Sequence, residues 1–276
     1  MKMLLIAKHE LKIISRSKWV LSFTILYTAL AITIVLFGGS AEEAGFNGFN
    51  RMAASLLNLS LFLVPLLTLL IGSTSLAGDK EDGSLSLITT YPIHAWEIIL
   101  GKFAGLFVSL FAIITFGYGT AGLILFFSKA NVSLQFFLIF YGFTMLLMVM
   151  FLGLSMLIGS ISTTRFQALG FSLILWAVSV LFYEFIVIGL AMVINKQAIL
   201  GMFTASILMN PVELIRVWTI ISMDSGSIFG PHLYDLTIWS EGMIGQLVFA
   251  LTALVWVALP LIFTNQLLKR GLRHGT

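Results

Sequence analysis

The sequence predicts an all-α membrane protein with six transmembrane helices, and three observations lead there. First, six apolar runs, residues 19–37, 56–77, 103–127, 132–158, 166–194 and 243–268, fill most of the 276 residues, and Glu184 is the only charged residue within them. Each reaches the ~18–20 residues a helix needs to cross a hydrocarbon core of roughly 30 Å. Second, only 10% of the chain is charged while 59% is hydrophobic, with a mean hydropathy of +1.06. A water-facing shell is missing. Third, the runs are continuous rather than alternating. Backbone groups in lipid must pair internally, so continuous runs select helices over a β-barrel.

The elements follow in chain order, within one domain spanning residues 1–276. Residues 1–18 place Leu4, Ala7, Leu11 and Ile14 on one helical face and Lys8, Lys12 and Arg16 on another, the pattern of a helix lying in the membrane interface. The first apolar run has 19 residues, too long for the roughly 7–15 of a signal-peptide core, and is expected to stay as span one. With both termini inside, the inner segments hold 11 basic residues and the outer segments 4 (Arg51, Lys129, Lys196 and Arg216). Positive charge accumulates on the cytoplasmic side of membrane proteins, so both termini are expected there, in a multi-pass protein of the plasma membrane.

Two connections between spans are long. In the inner loop, residues 79–102, the polar run from Asp79 to Gly83 is expected to break span two, residues 84–90 to form a short helix, and Pro92 to sit in the first turn of the helix entering span three. In the outer segment, residues 195–241, the uncharged stretch 198–209 has 12 residues and is too short to cross. Asn210, Pro211 and Glu213 then read as N-cap, first and third positions of a new helix, with Asn210 and Glu213 in a capping-box relation. The chain is therefore expected to dip into the membrane and turn back. Glu213 and Arg216, three residues apart, are placed to pair.

Several function classes lack their residues. There is no G-x-x-x-x-G-K-[ST] phosphate loop, no H-E-x-x-H and no G-x-S-x-G, so neither ATP use nor bond hydrolysis has machinery here. Gly117, Gly119 and Gly122 spell G-x-G-x-x-G inside an uncharged span with no preceding strand. Small residues there, and at Gly101 and Gly105, serve close helix approach. The four histidines lie in separate segments and there is no cysteine, so no metal site is expected. The net charge of +3 sits at span ends rather than in a patch with stacking aromatics, which speaks against nucleic acid. Glu184, read as an acid without an intramembrane partner, must face the bundle or a wet cavity, because a lone acid at that depth costs on the order of a few kcal/mol.

The inner loop carries a resemblance. Glu81, Asp82, Gly83, Ser84 and Leu85, then Thr90, Tyr91, Pro92 and Ile93, then Leu100, Gly101 and Lys102 resemble the loop between spans two and three of ABC-2 type permeases. The outer segment from Asn210 to Arg216 resembles that family's connection between spans five and six, and the likeness runs over essentially the whole chain. It implies that residues 1–18 are an elbow helix and that the inner loop is a coupling helix docking on a separate cytosolic ATPase. Glu81, Asp82, Gly83, Ser84, Tyr91, Pro92 and His94 are its implied coupling residues. One departure is that His94 or Ala95 stands where these permeases commonly carry Arg. The resemblance further implies a second copy of the chain, and ATP and Mg bound by the ATPase with no cofactor on this chain. Thr90, Tyr91, Pro92 and Glu184 are most like the branch serving copper-site maturation of nitrous-oxide reductase, which implies an extracytoplasmic protein partner. Two other readings stand beside this one: an exporter of a drug, lipid or sodium, and an ion-coupled secondary transporter that uses Glu184.

Overall fold

A computed structural model describes residues 2–14, 16–38, 51–89, 93–127, 134–195, 198–223 and 234–274, and among these it contains helices and no strand. In chain order they are α1 (Lys2–Ile14), α2 (Lys18–Gly38), α3 (Arg51–Glu81), α4 (Ser84–Thr89), α5 (Ala95–Phe127), α6 (Leu134–Ile161), α7 (Arg165–Trp176), a π-helical segment (Ala177–Phe182), α8 (Tyr183–Val193), α9 (Ile199–Met209), α10 (Pro211–Ile221), α11 (Tyr234–Glu241) and α12 (Met243–His274). Five helices, Ala54–Glu81, Ala95–Ile124, Phe137–Ile161, Arg165–Val193 and Met243–Arg270, are long and apolar enough to cross a membrane. α2 has 21 residues, about 30 Å at 1.5 Å per residue. α9 and α10 meet at a 109° bend, so the chain turns sharply at Asn210.

α3 and α6 form the centre. Gly72 and Gly159 let them approach closely: a Cβ on Gly159 would lie 2.7 Å from the Ser73 carbonyl oxygen. Leu69, Leu76, Leu147, Phe151 and Leu152 are fully buried around this crossing. Because lipid is as apolar as leucine, burial alone does not hold spans together, and interhelical hydrogen bonds and tight packing must do so. A relay of hydroxyls supplies some of them: Tyr27 to Ser60 at 3.1 Å, Ser60 to Tyr118 at 2.8 Å and Tyr118 to Thr144 at 2.7 Å join α2, α3, α5 and α6. The span made by α7, the π segment and α8 stands apart, with 0% of its most apolar 18-residue window buried inside the molecule.

Local chemistry sets the breaks. α6 ends at Ile161, and Thr164 caps α7 by accepting the Gln167 N–H at 3.2 Å while Gln167 returns to the Thr163 N–H at 2.9 Å. α3 stops where Gly83 takes φ 71°, a left-handed conformation that glycine adopts without a Cβ clash. The polar run from Asp79 to Gly83 does end the helix of span two, but not at its first residue. α3 continues through Glu81, because those polar side chains find partners on neighbouring helices. Pro92, expected in the first turn of the next helix, lies outside the described residues. α5 begins at Ala95, where Glu97 accepts the His94 N–H at 3.0 Å and caps the start.

Candidate functional site

Two polar assemblies lie at opposite ends of the bundle. At the α4 end, α4 hangs between the end of α3 and the start of α5. Asp82 donates its N–H to Gly78 at 2.8 Å and Gly83 to Lys80 at 3.1 Å, closing α3. Ser84 Oγ donates to the Asp79 carbonyl at 3.2 Å. Leu85 turns inward and Leu87 outward, the latter 68% exposed. His94 is exposed, whereas Tyr91 and Pro92 lie outside the described residues.

The acids implied in coupling face the protein's own helices. Glu81 accepts the Arg165 N–H at 2.7 Å, at the N-terminus of α7, where the helix dipole favours a carboxylate. Asp82 pairs with the Arg165 guanidinium. Lys80 Nζ donates to the carbonyls of Ser160 and Ser162, the latter at 3.2 Å, at the end of α6. Three consecutive residues thus tie the end of α3 to the α6–α7 turn. Glu81 and Asp82 are bracing residues as well as surface acids.

A second cluster beneath α4 was hidden in the sequence. Lys102 of α5 is 2% exposed, and its Nζ lies 2.7 Å from Glu10 of α1, 2.8 Å from Asp79 of α3 and 2.9 Å from Ser75 Oγ. Ser75 also donates to Glu10. One buried cation therefore joins three helices. α1 turns inward the face of Ala7, Leu11 and Ile14 with Ile6 and Glu10 beside them, of which Glu10 and Ile14 are buried, while Leu4 is 72% exposed. Gly101 and Gly105 do serve close approach, as a Cβ on Gly105 would sit 2.6 Å from the Ala7 carbonyl oxygen. The available signal was Glu10 itself, the sole acid in α1, opposite Lys102 in the apolar flank of span three.

At the other end, α9 and α10 are fastened to span five through its π segment. Asn210 is the N-cap of α10: its Oδ1 accepts the Val212 N–H at 2.9 Å, and its Nδ2 donates to the Ser179 carbonyl at 2.8 Å. Pro211 occupies the first turn of α10, as expected. A π segment shifts backbone hydrogen bonding by one residue; here the Ser179 carbonyl takes a side-chain donor. Tyr183 Oη donates to the Ser206 carbonyl at 2.8 Å.

This reversal corrects the reading of Glu184 as an unpartnered acid. Arg216 Nη1 bonds Glu184 and also lies 3.2 Å from Glu213. The Glu213–Arg216 pair three residues apart is present, and Glu213 turns its carboxylate to Arg216. The partner to Glu184 was invisible because it lies 32 residues away and arrives only through the α9–α10 turn. A cavity of about 280 Å³ adjoins the triad, with Tyr183, Glu184, Ser206 and Glu213 on its polar side. Among the described residues no group of three or more His, Cys, Asp or Glu side chains is placed to hold a metal ion.

A helical bundle with a short helix braced at one end and a bent helix pair at the other has the form of a transporter's membrane subunit. The family model for ABC-2 family transporter proteins matches residues 4–270, and the chain belongs to that family as a multi-span permease subunit of an ABC transporter. The chain is similar to the protein named "Probable ABC transporter permease protein NosY" of Pseudomonas aeruginosa, 28% identical over 272 residues, which is 96% of this chain and 97% of that protein. The protein of the same name from Stutzerimonas stutzeri is 28% identical over 275 residues, 97% of this chain and 98% of that one.

Proposed function

We propose that the chain is a NosY-like permease half in which two copies form the membrane gate and a separate cytosolic ABC ATPase, holding ATP and Mg, works it from the α4 end. α1 is then the elbow helix and α4 the coupling helix. Both termini are cytoplasmic in the plasma membrane, and α9–α10 is a re-entrant pair on the outer side. The observation carrying this reading is the bracing of α4. It hangs from the end of α3, which Lys80, Glu81 and Asp82 tie to α6 and α7 while Lys102 ties it to α1 and α5. A push on such a helix moves several spans rather than bending a loop. Within this reading Leu87 and His94 face the ATPase, and Glu81 and Asp82 act from behind by holding α4 in place.

We extend the proposal to the copper-site maturation of nitrous-oxide reductase, with a NosD-like protein met on the outer side. The likeness to NosY supports this branch over an exporter of a drug, lipid or sodium.

The test is co-expression with a cytosolic ABC ATPase and affinity purification through the permease. The expected result is a stable complex that Leu87→Asp weakens at least tenfold while Leu254→Asn, at a 62% exposed position on α12, leaves it intact. Equal recovery of the complex with both variants would place docking elsewhere.

A further inference from the structure

Two carboxylates, Glu184 and Glu213, share one guanidinium, and they share a single nitrogen of it. Arg216 Nη1 serves both acids, while Arg216 Nε is buried without a partner. This is not the two-bond fork by which arginine grips a carboxylate firmly. With all three groups ionised, the triad is left one negative charge in excess beside a largely apolar cavity. Glu184 is the more accessible member, its side chain 49% exposed against 16% for Glu213.

The geometry makes the cross-helix pair exchangeable. Glu213 and Arg216 belong to the same helix, three residues apart, so Arg216 keeps a counter-charge when Glu184 is drawn away. Breaking an ion pair in a dry setting is costly mainly because a charge is left unpaired. An incoming cation that pairs with Glu184 removes that cost on the other side as well.

The adjoining cavity of about 280 Å³ has Val187, Ile188, Phe203, Ile207, Val217 and Leu236 as apolar walls, with Tyr183 and Ser206 beside the acids. A bare inorganic ion would find few oxygen ligands and much hydrocarbon. An organic cation with an apolar body matches both parts of the wall.

We infer that this cavity is a binding site for a singly charged organic cation, such as an alkylated or protonated amine. Its charged group pairs with Glu184 while Arg216 falls back on Glu213. The released Glu184–Arg216 contact is also the polar tie between α8 and α10, so occupancy loosens the bent helix pair from span five.

The test uses the full chain in neutral maltoside micelles and isothermal titration with benzyltriethylammonium, beside N,N-diethylbenzamide as a neutral molecule of similar bulk. The cation is expected to bind saturably and the neutral molecule at least tenfold more weakly. Glu184→Gln should weaken the cation at least tenfold and Glu184→Asp by less than about threefold. Equal affinity for the two molecules overturns the proposal, as does an unchanged affinity in Glu184→Gln. Displacement of the cation by sodium at equal concentration replaces it with an inorganic-ion site. If Glu184→Gln does not fold, the charge selectivity of the unmodified chain and the Glu184→Asp variant decide. The readout involves no ATPase, so its failure is distinct from a failure of docking at α4.

Discussion

Lys102 joins three helices at the α4 end. It is 2% exposed and, from α5, meets Glu10 of α1 and Ser75 and Asp79 of α3. Its removal leaves two carboxylates near each other without their cation. Breaking a buried ion pair from one side typically costs about 3–5 kcal/mol, so Lys102→Met is expected to lower the thermal unfolding midpoint in detergent markedly, with Lys102→Arg recovering part of the loss. An unchanged midpoint would mean that the cluster contributes no net stability. The cluster was unreadable from the sequence because its members come from positions 10, 75, 79 and 102, and each looked ordinary locally. Lys102 counted only as a topology charge at the foot of span three, and Glu10 interrupted what otherwise resembled a plain interfacial helix. The same holds for Glu184, whose partner required knowing where the α9–α10 bend would bring Arg216.

At the scale of elements, the sequence was informative wherever one physical rule dominated. Apolar runs gave the spans because length and hydropathy alone decide whether a helix crosses. Asn210 and Pro211 announced α10 because capping is a local affair: the Asn210 to Val212 bond spans two residues. The extension of α3 through Glu81, inside the polar run, was harder to read, because local polarity competes there with tertiary partners. Lys80, Glu81 and Asp82 look like a loop until α6 and α7 are placed beside them. Nothing in the run from Ala177 to Phe182 announces a π segment. Gly83, by contrast, has a local role that can be tested. At φ 71° a Cβ costs about 1–2 kcal/mol, so Gly83→Ala is expected to shift α4 and reduce ATPase recovery while leaving the insertion of the spans unaltered. Arg165→Ala removes the partner of Asp82. Both groups are more than half exposed, so its stability effect should stay within about 0–1 kcal/mol, whereas permease-stimulated ATP hydrolysis should fall severalfold. Measuring unfolding and turnover on the same preparation separates these two effects. A large loss of stability with unchanged turnover would show that the brace is merely structural.

At the scale of the molecule, the ion pairs among the described residues gather at the two ends of the bundle. At one end, ion pairs and carbonyl contacts make α1, α3, α4, α5, α6 and α7 a single braced surface. At the other, α9 and α10 are attached to span five through Asn210, Tyr183 and the Arg216 triad. Span five itself is covered least by the rest of the chain, with 0% of its apolar window buried, yet it carries Glu184. An apolar helix facing lipid is at ease there, but a half-exposed carboxylate is not. The proposed cation cavity lies on this same flank. The hydroxyl relay from Tyr27 to Thr144 ties together the spans between the two ends. A displacement at α4 therefore meets packed helices rather than a yielding core, as a permease driven from one face requires.

The central claim is that an ATPase acts on the α4 end from the cytoplasm, and the chain's lack of cysteine allows a direct measurement. A single cysteine introduced at Leu87, 68% exposed on α4, can be labelled with a membrane-impermeant maleimide. The account predicts rapid labelling in inside-out vesicles, protection there when the ATPase is bound, and no labelling in intact cells. Labelling of Leu87→Cys from outside intact cells, or an unchanged rate in vesicles with the ATPase bound, would contradict it.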